Sequence, residues 1–436
     1  MQTRRSFLGK SAAALTILPP QLVRGQGAPR LKAGLVGCGG RGTGAAIDLL
    51  TGAENVELVA MGDIFEDKLT QSLARLRDPR TMGRHAGITV ERGGQPTVMN
   101  AEALVASIQP RIKVAPDHHF VGFDAYKKIA ASDVDIVMLC TPPGYRPIHF
   151  EAAIEARKHV FTEKPVGTDP VGTRRFMAAA KKAEELKLTV MSGSQRRSSL
   201  DYIETVKKIQ DGAIGDILSL FAYYLSGPVM HAKARDAKWG DMEWQHRNWY
   251  SFVWICGDQI VEQHYHNLDF INWVMGTHPV KVVASGGISW RPREILYGNI
   301  YDHMSSDFVY ANGVHLTSHC RQYPGGLYRN VSDLIVGSKG RSNGTDLGTR
   351  GINGQVQEHA EMVKSITGRG PYINQGMPVA ESTMTAIMAR ESAYSGQEIT
   401  WDQVMASKLD LMPKAFGYDL KMDEPVLPVP GVYKFV

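Results

Sequence analysis

The residues best suited to chemistry fall in two short clusters, Glu262-x-His264-x-His266-x-x-Asp269 and Glu163-Lys164-Pro165. On a helix at about 100° per residue, Glu262, His266 and Asp269 lie within about 60° of one another, and His264 points to the opposite side. That spacing predicts two carboxylates around one imidazole. An alcohol oxidised by hydride loss must also give up its hydroxyl proton, and a histidine held in one tautomer by a neighbouring acid is suited to take it. Lys164 is then expected to donate to the reacting oxygen and to stabilise its alkoxide character. The expected catalytic set is Lys164, His266 and Glu262, with Asp269 on the substrate side. Two plainer readings compete with it. His266 could be a buried histidine satisfied by Asp269 and nothing more. Glu-x-His-x-His could hold a metal, but helical spacing parts the two histidines and no cysteine joins them, so no metal is expected.

A hydride acceptor must be positioned beside these groups, and the N-terminal part of the chain contains a fitting element. The apolar run 33–36 ends in Gly37-Cys38-Gly39-Gly40-Arg41-Gly42 and gives way to a helix-like stretch at 45–50. Gly37 permits a tight turn, Gly39 lets the backbone approach a pyrophosphate, and Gly42 lets the helix lie close on the strand. The phosphates would sit at the helix N-terminus, where unpaired N–H groups point outward. A second apolar run, 56–61, leads to Asp63, about twenty residues beyond the turn, where a carboxylate holds an adenosine ribose hydroxyl. Asp63 should repel a 2′-phosphate, so NAD is expected over NADP. Further cofactor contacts are expected where later strands end: Thr141, Pro142 and His149 after the run ending at Cys140, and Glu163 and Lys164 after the run 159–162.

The elements that carry these groups alternate. Strand-like and helix-like segments follow one another to about residue 191, which predicts a parallel, doubly wound sheet flanked by helices. From 218 onward the strand-like runs at 218–225, 281–288, 304–310, 314–320 and 334–336 suggest a second α/β domain with an open, mostly antiparallel sheet. The expected division is residues 1–30 as signal and linker, 31–193 as the NAD-binding Rossmann domain and 194–436 as the substrate and oligomerisation domain. The last segment is allowed to return to the first domain. Length agrees, since 436 residues with 43% hydrophobic side chains exceed one core. The Gly- and Arg-rich stretch 78–96 and the glycine-rich stretch 337–354 are the expected flexible parts.

These motifs, in this order, resemble the family named after glucose–fructose oxidoreductase, inositol dehydrogenase and MocA. The resemblance rests on the Gly37–Gly42 turn with Asp63, on Glu163-Lys164-Pro165, and on the histidine cluster, which matches the family's Asp-x-Gly-x-His-x-x-Asp with Glu262 for Asp and His264 for Gly. It extends over essentially the whole chain after the signal. It implies an oxidoreductase acting on a carbohydrate or cyclitol hydroxyl with a nicotinamide cofactor. It also implies that Lys164 touches substrate and cofactor ribose, and that the open sheet supports a homo-oligomer.

Other residues bear on substrate and address. Arg196, which opens the second domain, Arg321 at a strand end, and Trp249 within a cluster of four tryptophans are candidates for holding sugar hydroxyls or C–H faces, or else are ordinary ion pairs and core. The N-terminal Arg4-Arg5 pair and the following short apolar run read as a twin-arginine export signal, too short to span a bilayer, and imply a periplasmic location. Removing residues 1–25 deletes four basic residues and no acid, so the formal charge falls from +5 to +1. A nearly neutral chain gives no electrostatic case for nucleic acid or an anionic membrane. Four cysteines in scattered, apolar settings predict no disulfide framework. Three function classes follow: an NAD-dependent dehydrogenase, a redox-neutral glycoside hydrolase or lyase working through a transient keto-sugar, and a binding protein without chemistry. Lys164 and His266 argue against the third.

Overall fold

The computed structural model describes residues 30–78, 87–92, 95–229 and 232–436. The export signal lies outside the described residues, as does much of the stretch 78–96. The first part of the chain forms eight strands: β1 (Leu31–Val36), β2 (Val56–Asp63), β3 (Ile88–Arg92), β4 (Gln95–Met99), β5 (His119–Val121), β6 (Ile136–Leu139), β7 (His159–Thr162) and β8 (Val190–Ser192). β3 and β4 make a separate antiparallel hairpin. The other six form one parallel sheet in the order β5-β2-β1-β6-β7-β8. β6 is buried along its whole length and β1 over its last four residues, as strands covered by helices on both faces must be. The chain runs outward from β1 in both directions, so the switch point lies between β1 and β6, where a crevice opens at the strands' C-terminal ends.

The second part builds a seven-stranded sheet from β9 (Ile217–Ser226), β10 (Lys281–Gly287), β11 (His303–Val309), β12 (His315–Gln322), β13 (Asn330–Gly337), β14 (Gly340–Ser342) and β15 (Ile399–Thr400). Its order is β14-β13-β9-β12-β11-β10-β15, antiparallel except where β9 lies parallel to β12. Burial alternates along β12: Leu316, Ser318, Cys320 and Gln322 are inside, while the residues between them keep solvent access. One face therefore packs on helices and the other is open.

Helix Gly376–Ser395 is buried nearly all round, because it lies between the domains and packs on β10, on helix Pro170–Glu185 and on the helix of the histidine cluster. One continuous apolar core runs from Phe150 and Val160 of the first domain through Met384 and Ile387 of that helix to Leu220 and Phe308 of the second sheet. Its Arg390, fully buried, donates to the carbonyls of Thr168 (2.6 Å) and Gly257 (3.1 Å) and pairs with Glu391 (2.6 Å). Thr168 follows Lys164 and Gly257 precedes Glu262, so this guanidinium sets the two chemical clusters in register. A buried cation bonded this fully is costly to truncate on either side of the pair. Beyond Ala406 no further helix or strand forms, and the segment runs back over the first domain: Val171 N donates to Leu409 O, and Leu411 N to Asp169 Oδ2 at 3.1 Å.

Candidate active site

The glycine turn is built by close approach. Gly37 has φ +94°, and a Cβ there would lie 2.7 Å from the Cys140 carbonyl carbon. A Cβ on Gly42 would lie 1.9 Å from Gly37 O, so the helix Gly40–Gly52 can begin only with glycine at that point. Gly39 and Gly40 differ: a Cβ on either meets nothing within 4 Å. Their side of the turn faces open space, and the helix start has no side-chain cap, which leaves its first N–H groups for an anion. Asp63, at the end of β2, accepts from Cys38 N (2.7 Å) and Phe65 N (2.9 Å). Burial raises its pKa against those two bonds. A pyrophosphate cradle flanked by a carboxylate fits a dinucleotide.

Arg41 is placed differently from expectation. Its guanidinium turns away from the open side of the turn toward three carboxylates, bonding Glu163, pairing with Asp48 at 3.0 Å and approaching Glu358 at 3.8 Å. Only its backbone remains for a phosphate. Burial alone would raise Glu163, but Arg41, Arg146 and Lys164 outweigh it and hold the carboxyl below its ordinary pKa. Glu163 thus ties the glycine turn to the strand that carries Lys164. His149 is also displaced from its expected role: its ring is buried, stacked on Tyr126 (4.1 Å) and Tyr145 (5.4 Å), with Nδ1 on Thr141 Oγ1 at 3.2 Å. It orients Thr141, which with Pro142 stays at the crevice, partly exposed. Burial, then Arg146, lowers His149 to about 3, so the ring is neutral.

The histidine cluster begins as a π-helical turn, Ile260–His264, before the α-helix Tyr265–Met275. The wider turn departs from the regular spacing assumed above, and such turns recur at functional sites. Two carboxylates do not surround the imidazole. Asp269 takes a two-pronged bond from Arg197, with Nη2 to Oδ1 at 2.8 Å and Nε to Oδ2 at 3.0 Å. Glu262 Oε1 instead accepts from Lys164 Nζ (3.3 Å), which also donates to Glu262 O at 2.6 Å. His264 is buried with Nε2 on Ser318 Oγ of β12 (2.6 Å), away from the crevice, and is lowered to about 3 by burial and then Arg196. His266, half-buried, is held well below its ordinary pKa by burial, then by the positive charges of Lys164, Arg196 and Arg41. The ring is therefore a neutral imidazole, close enough to Lys164 to feel its charge.

The expected substrate contacts mostly serve structure. Arg196 bonds Asp333 of β13 (2.8 Å) and the His266 carbonyl (3.2 Å), with Tyr202 and Phe270 under its guanidinium. It supports the turn that carries His266. Arg321 lies on the open face of β12, opposite the helices, and caps Tyr328 O at 2.6 Å. Trp249 packs edge-on to Tyr250 (5.4 Å) beside a small core of Trp244, Phe252, Ile255 and Tyr145, which also takes in Trp239 and Trp254. Gln263 and Tyr224 were not singled out from the sequence. Gln263 Nε2 donates to Glu262 Oε2, and Tyr224 OH donates to Gln263 Oε1 at 2.7 Å. No local pattern marks either residue; β9 brings Tyr224 there only through the fold.

Comparison with known proteins bears on the fold. Residues 84–192 match the model of an oxidoreductase family with an NAD-binding Rossmann fold, the Gfo/Idh/MocA family. The match covers the later part of the first domain and shows what that part is similar to. The chain is 26% identical over 159 residues to inositol 2-dehydrogenase of Rhizobium meliloti, an alignment covering 36% of this chain and 42% of that relative. It thus spans under half the length of that curated relative. Among solved structures, scyllo-inositol dehydrogenase from Lactobacillus casei with bound NAD(H) and scyllo-inositol superposes with TM-score 0.60 at 17% identity, over 85% of this chain and 99% of that one. The WlbA dehydrogenase from Bordetella pertussis, in complex with NADH and UDP-GlcNAcA, gives TM-score 0.61 at 18% identity, over 85% and 98%. At these identities the likeness is one of fold, and it spans both domains.

Proposed function

We propose that the protein is an NAD(H)-dependent oxidoreductase acting on a hydroxyl-bearing carbon of a sugar, glycoside or cyclitol. The observation that carries the reading is the meeting of Lys164 and the histidine cluster across 98 residues of sequence, at the end of β7 beside the glycine turn. Gly37–Gly42 and Asp63 would hold the dinucleotide, and the nicotinamide, when bound, supplies the hydride acceptor. The chain's part is proton and charge. Lys164 Nζ donates to the substrate oxygen and favours its alkoxide character, while the neutral His266 ring takes the hydroxyl proton. Glu262 aims the ammonium, and Arg196 supports the backbone under the imidazole.

The redox-neutral cleavage of glycosides needs a further acid–base group beyond the one that oxidation uses. Glu262 bonds Lys164 and Gln263, and His264 bonds Ser318, so neither is disposed to supply it. Dehydrogenation is the reading the side chains favour. Asp63 favours NAD over NADP by repelling a 2′-phosphate. The open face of the second sheet, with Phe221, Tyr223, Thr317 and His319 at least partly solvent-accessible, supports pairing with a second copy of the chain. Arg4-Arg5 and the apolar run after them support export to the periplasm. The test is to offer sugars and cyclitols to the purified protein with NAD and follow nicotinamide absorbance. A chain that binds NAD but oxidises none of these polyols would overturn the reading.

A further inference from the structure

Part of the segment beyond Ala406 packs at the end of β2, next to Asp63. Tyr418 OH donates to the carbonyl of Ile64, the residue after that carboxylate. The Tyr418 ring lies 5.1 Å from Phe123 and 6.1 Å from Phe65, and Phe416 stacks on Phe123 at 5.9 Å. Burial, then the charges of Glu243 and Asp63, raises the Tyr418 phenol. The strap is held from behind by backbone bonds, Met242 N to Leu420 O (3.1 Å) and Glu243 N to Tyr418 O (3.3 Å). A Cβ on Gly240 would lie 2.3 Å from Tyr418 O, so that approach requires glycine. At the end of the helix Asp241–Arg247, Arg247 lies over the Phe65 ring at 3.8 Å and pairs with Asp67 at 3.2 Å.

We propose that this strap is the outer wall of the adenosine subsite and that its opening sets how fast a nicotinamide–adenine dinucleotide leaves and enters. The inference rests on the reading of Asp63 as the ribose ligand. A ribose held at Asp63 places the adenosine at the end of β2, where residues 64 and 65 carry the Tyr418 contacts. At the end of β2 the attachment is of a kind that can lift: one side-chain hydrogen bond from Tyr418, ring contacts, and no helix or strand in the segment itself. Residues on either side of Tyr418, among them Met412 and Leu427, line a cavity of about 690 Å³ with Gln245 and Trp254. Tyr418 and Phe416 lie outside the apolar cores on which Leu411, Leu427 and Tyr433 of the same segment pack, so lifting residues 416–418 breaks no strand or helix. A gate that must open in both directions changes both rates and leaves the affinity nearly unaltered. A plug filling the subsite would compete with the dinucleotide and weaken it.

The experiment loads the full chain with NADH and measures release by stopped-flow fluorescence on mixing with excess NAD. Tyr418→Ala should release NADH about tenfold faster or more, the scale of one lost hydrogen bond with its ring contacts, with faster capture and a nearly unchanged Kd. Phe416→Ala should act in the same direction. Tyr418→Phe, which loses only the hydroxyl and should fold as the parent does, should give a smaller acceleration and carries the test if the alanine variant does not fold. Release at the parent rate in these variants would overturn the proposal, and so would tighter binding, which would mean that the strap occupies the subsite. A parent chain that takes up no dinucleotide at all would overturn the Asp63 reading itself and the strap's role with it.

Discussion

Lys164 donates to Glu262 twice, to its backbone carbonyl at 2.6 Å and to its carboxylate at 3.3 Å, so the motif's first acid serves the lysine and not the histidine. The carbonyl bond comes from the π-helical turn and survives any side-chain change. The carboxylate bond fixes the direction of the ammonium.

Glu262→Gln should therefore lower kcat while leaving NAD affinity in place, because the ammonium keeps its carbonyl partner but loses its charge partner. The pair is largely buried, and removing one member should also cost stability, by about 3 kcal/mol. Thermal unfolding and steady-state kinetics on one preparation check both parts. A variant with parent kcat would remove Glu262 from the site.

Lys164→Ala and His266→Ala should each reduce hydride transfer by about 10² or more with the dinucleotide still bound. If the two groups serve one transition state, the double variant should lose much less than the product of the single losses. Single-turnover cofactor reduction at the parent rate in His266→Ala would show that another group takes the proton.

The parts of this site that were legible in the sequence are those encoded by local spacing. Alternating apolar runs gave the parallel sheet, and the glycines with Asp63 marked the crevice, because a tight turn and a strand-end carboxylate are short-range features. The pairing of charges was not legible. Asp269 lies three residues from His266, yet its partner is Arg197, which reaches it from 72 residues away. The π-turn removed the regular spacing on which the triad expectation depended, and strand alternation put Arg321 on the open face. Arg390 and Tyr418 act across the domain junction, where no sequence pattern records the contact.

Four buried histidines make the fold sensitive to acid. Burial leads in holding each ring low, His246 and His359 to about 4 and His149 and His264 to about 3. In the unfolded chain such rings take up a proton near pH 6.5, so below that pH the unfolded state binds more protons and stability falls as pH falls. Each ring adds a slope of about 1.4 kcal/mol per pH unit until its folded pKa is reached. His359 lies over Phe161 at 4.2 Å with neither ring nitrogen hydrogen-bonded. His359→Phe should flatten the acid limb by one proton, read from denaturant unfolding between pH 6 and 4.5. An unchanged slope would place the titration elsewhere.

Asp63→Ala should weaken NAD and relax the preference over NADP, since the variant removes both the ribose acceptor and the charge that repels a 2′-phosphate. The same carboxylate accepts from Cys38 N and Phe65 N, so the glycine turn should lose some order as well. Asp63→Asn removes the charge but keeps one acceptor oxygen, which can still take the Cys38 N–H of the turn while the Phe65 N–H loses its partner. Binding of NAD and NADP to both variants, measured by calorimetry, checks the assignment. Equal affinities in parent and variants would mean the carboxylate does not face the ribose.

The glycine turn offers the sharpest separation of folding from binding. Gly39 has φ −70° and ψ −176°, a conformation any residue adopts, and its missing Cβ faces open space. Gly39→Ala should therefore fold with parent stability, and Gly39→Val nearly so, but each added carbon enters the volume where a pyrophosphate would approach. NAD affinity should fall with side-chain size at no cost in Tm. Gly42→Ala should do the reverse, because its Cβ would lie 1.9 Å from Gly37 O and the helix would have to move off the strand. That variant should lose stability before any question of binding arises. Thermal unfolding of the ligand-free chains, followed by NAD titration of those that fold, decides it. A Gly39→Val chain that binds NAD like the parent would mean the phosphates do not approach this turn.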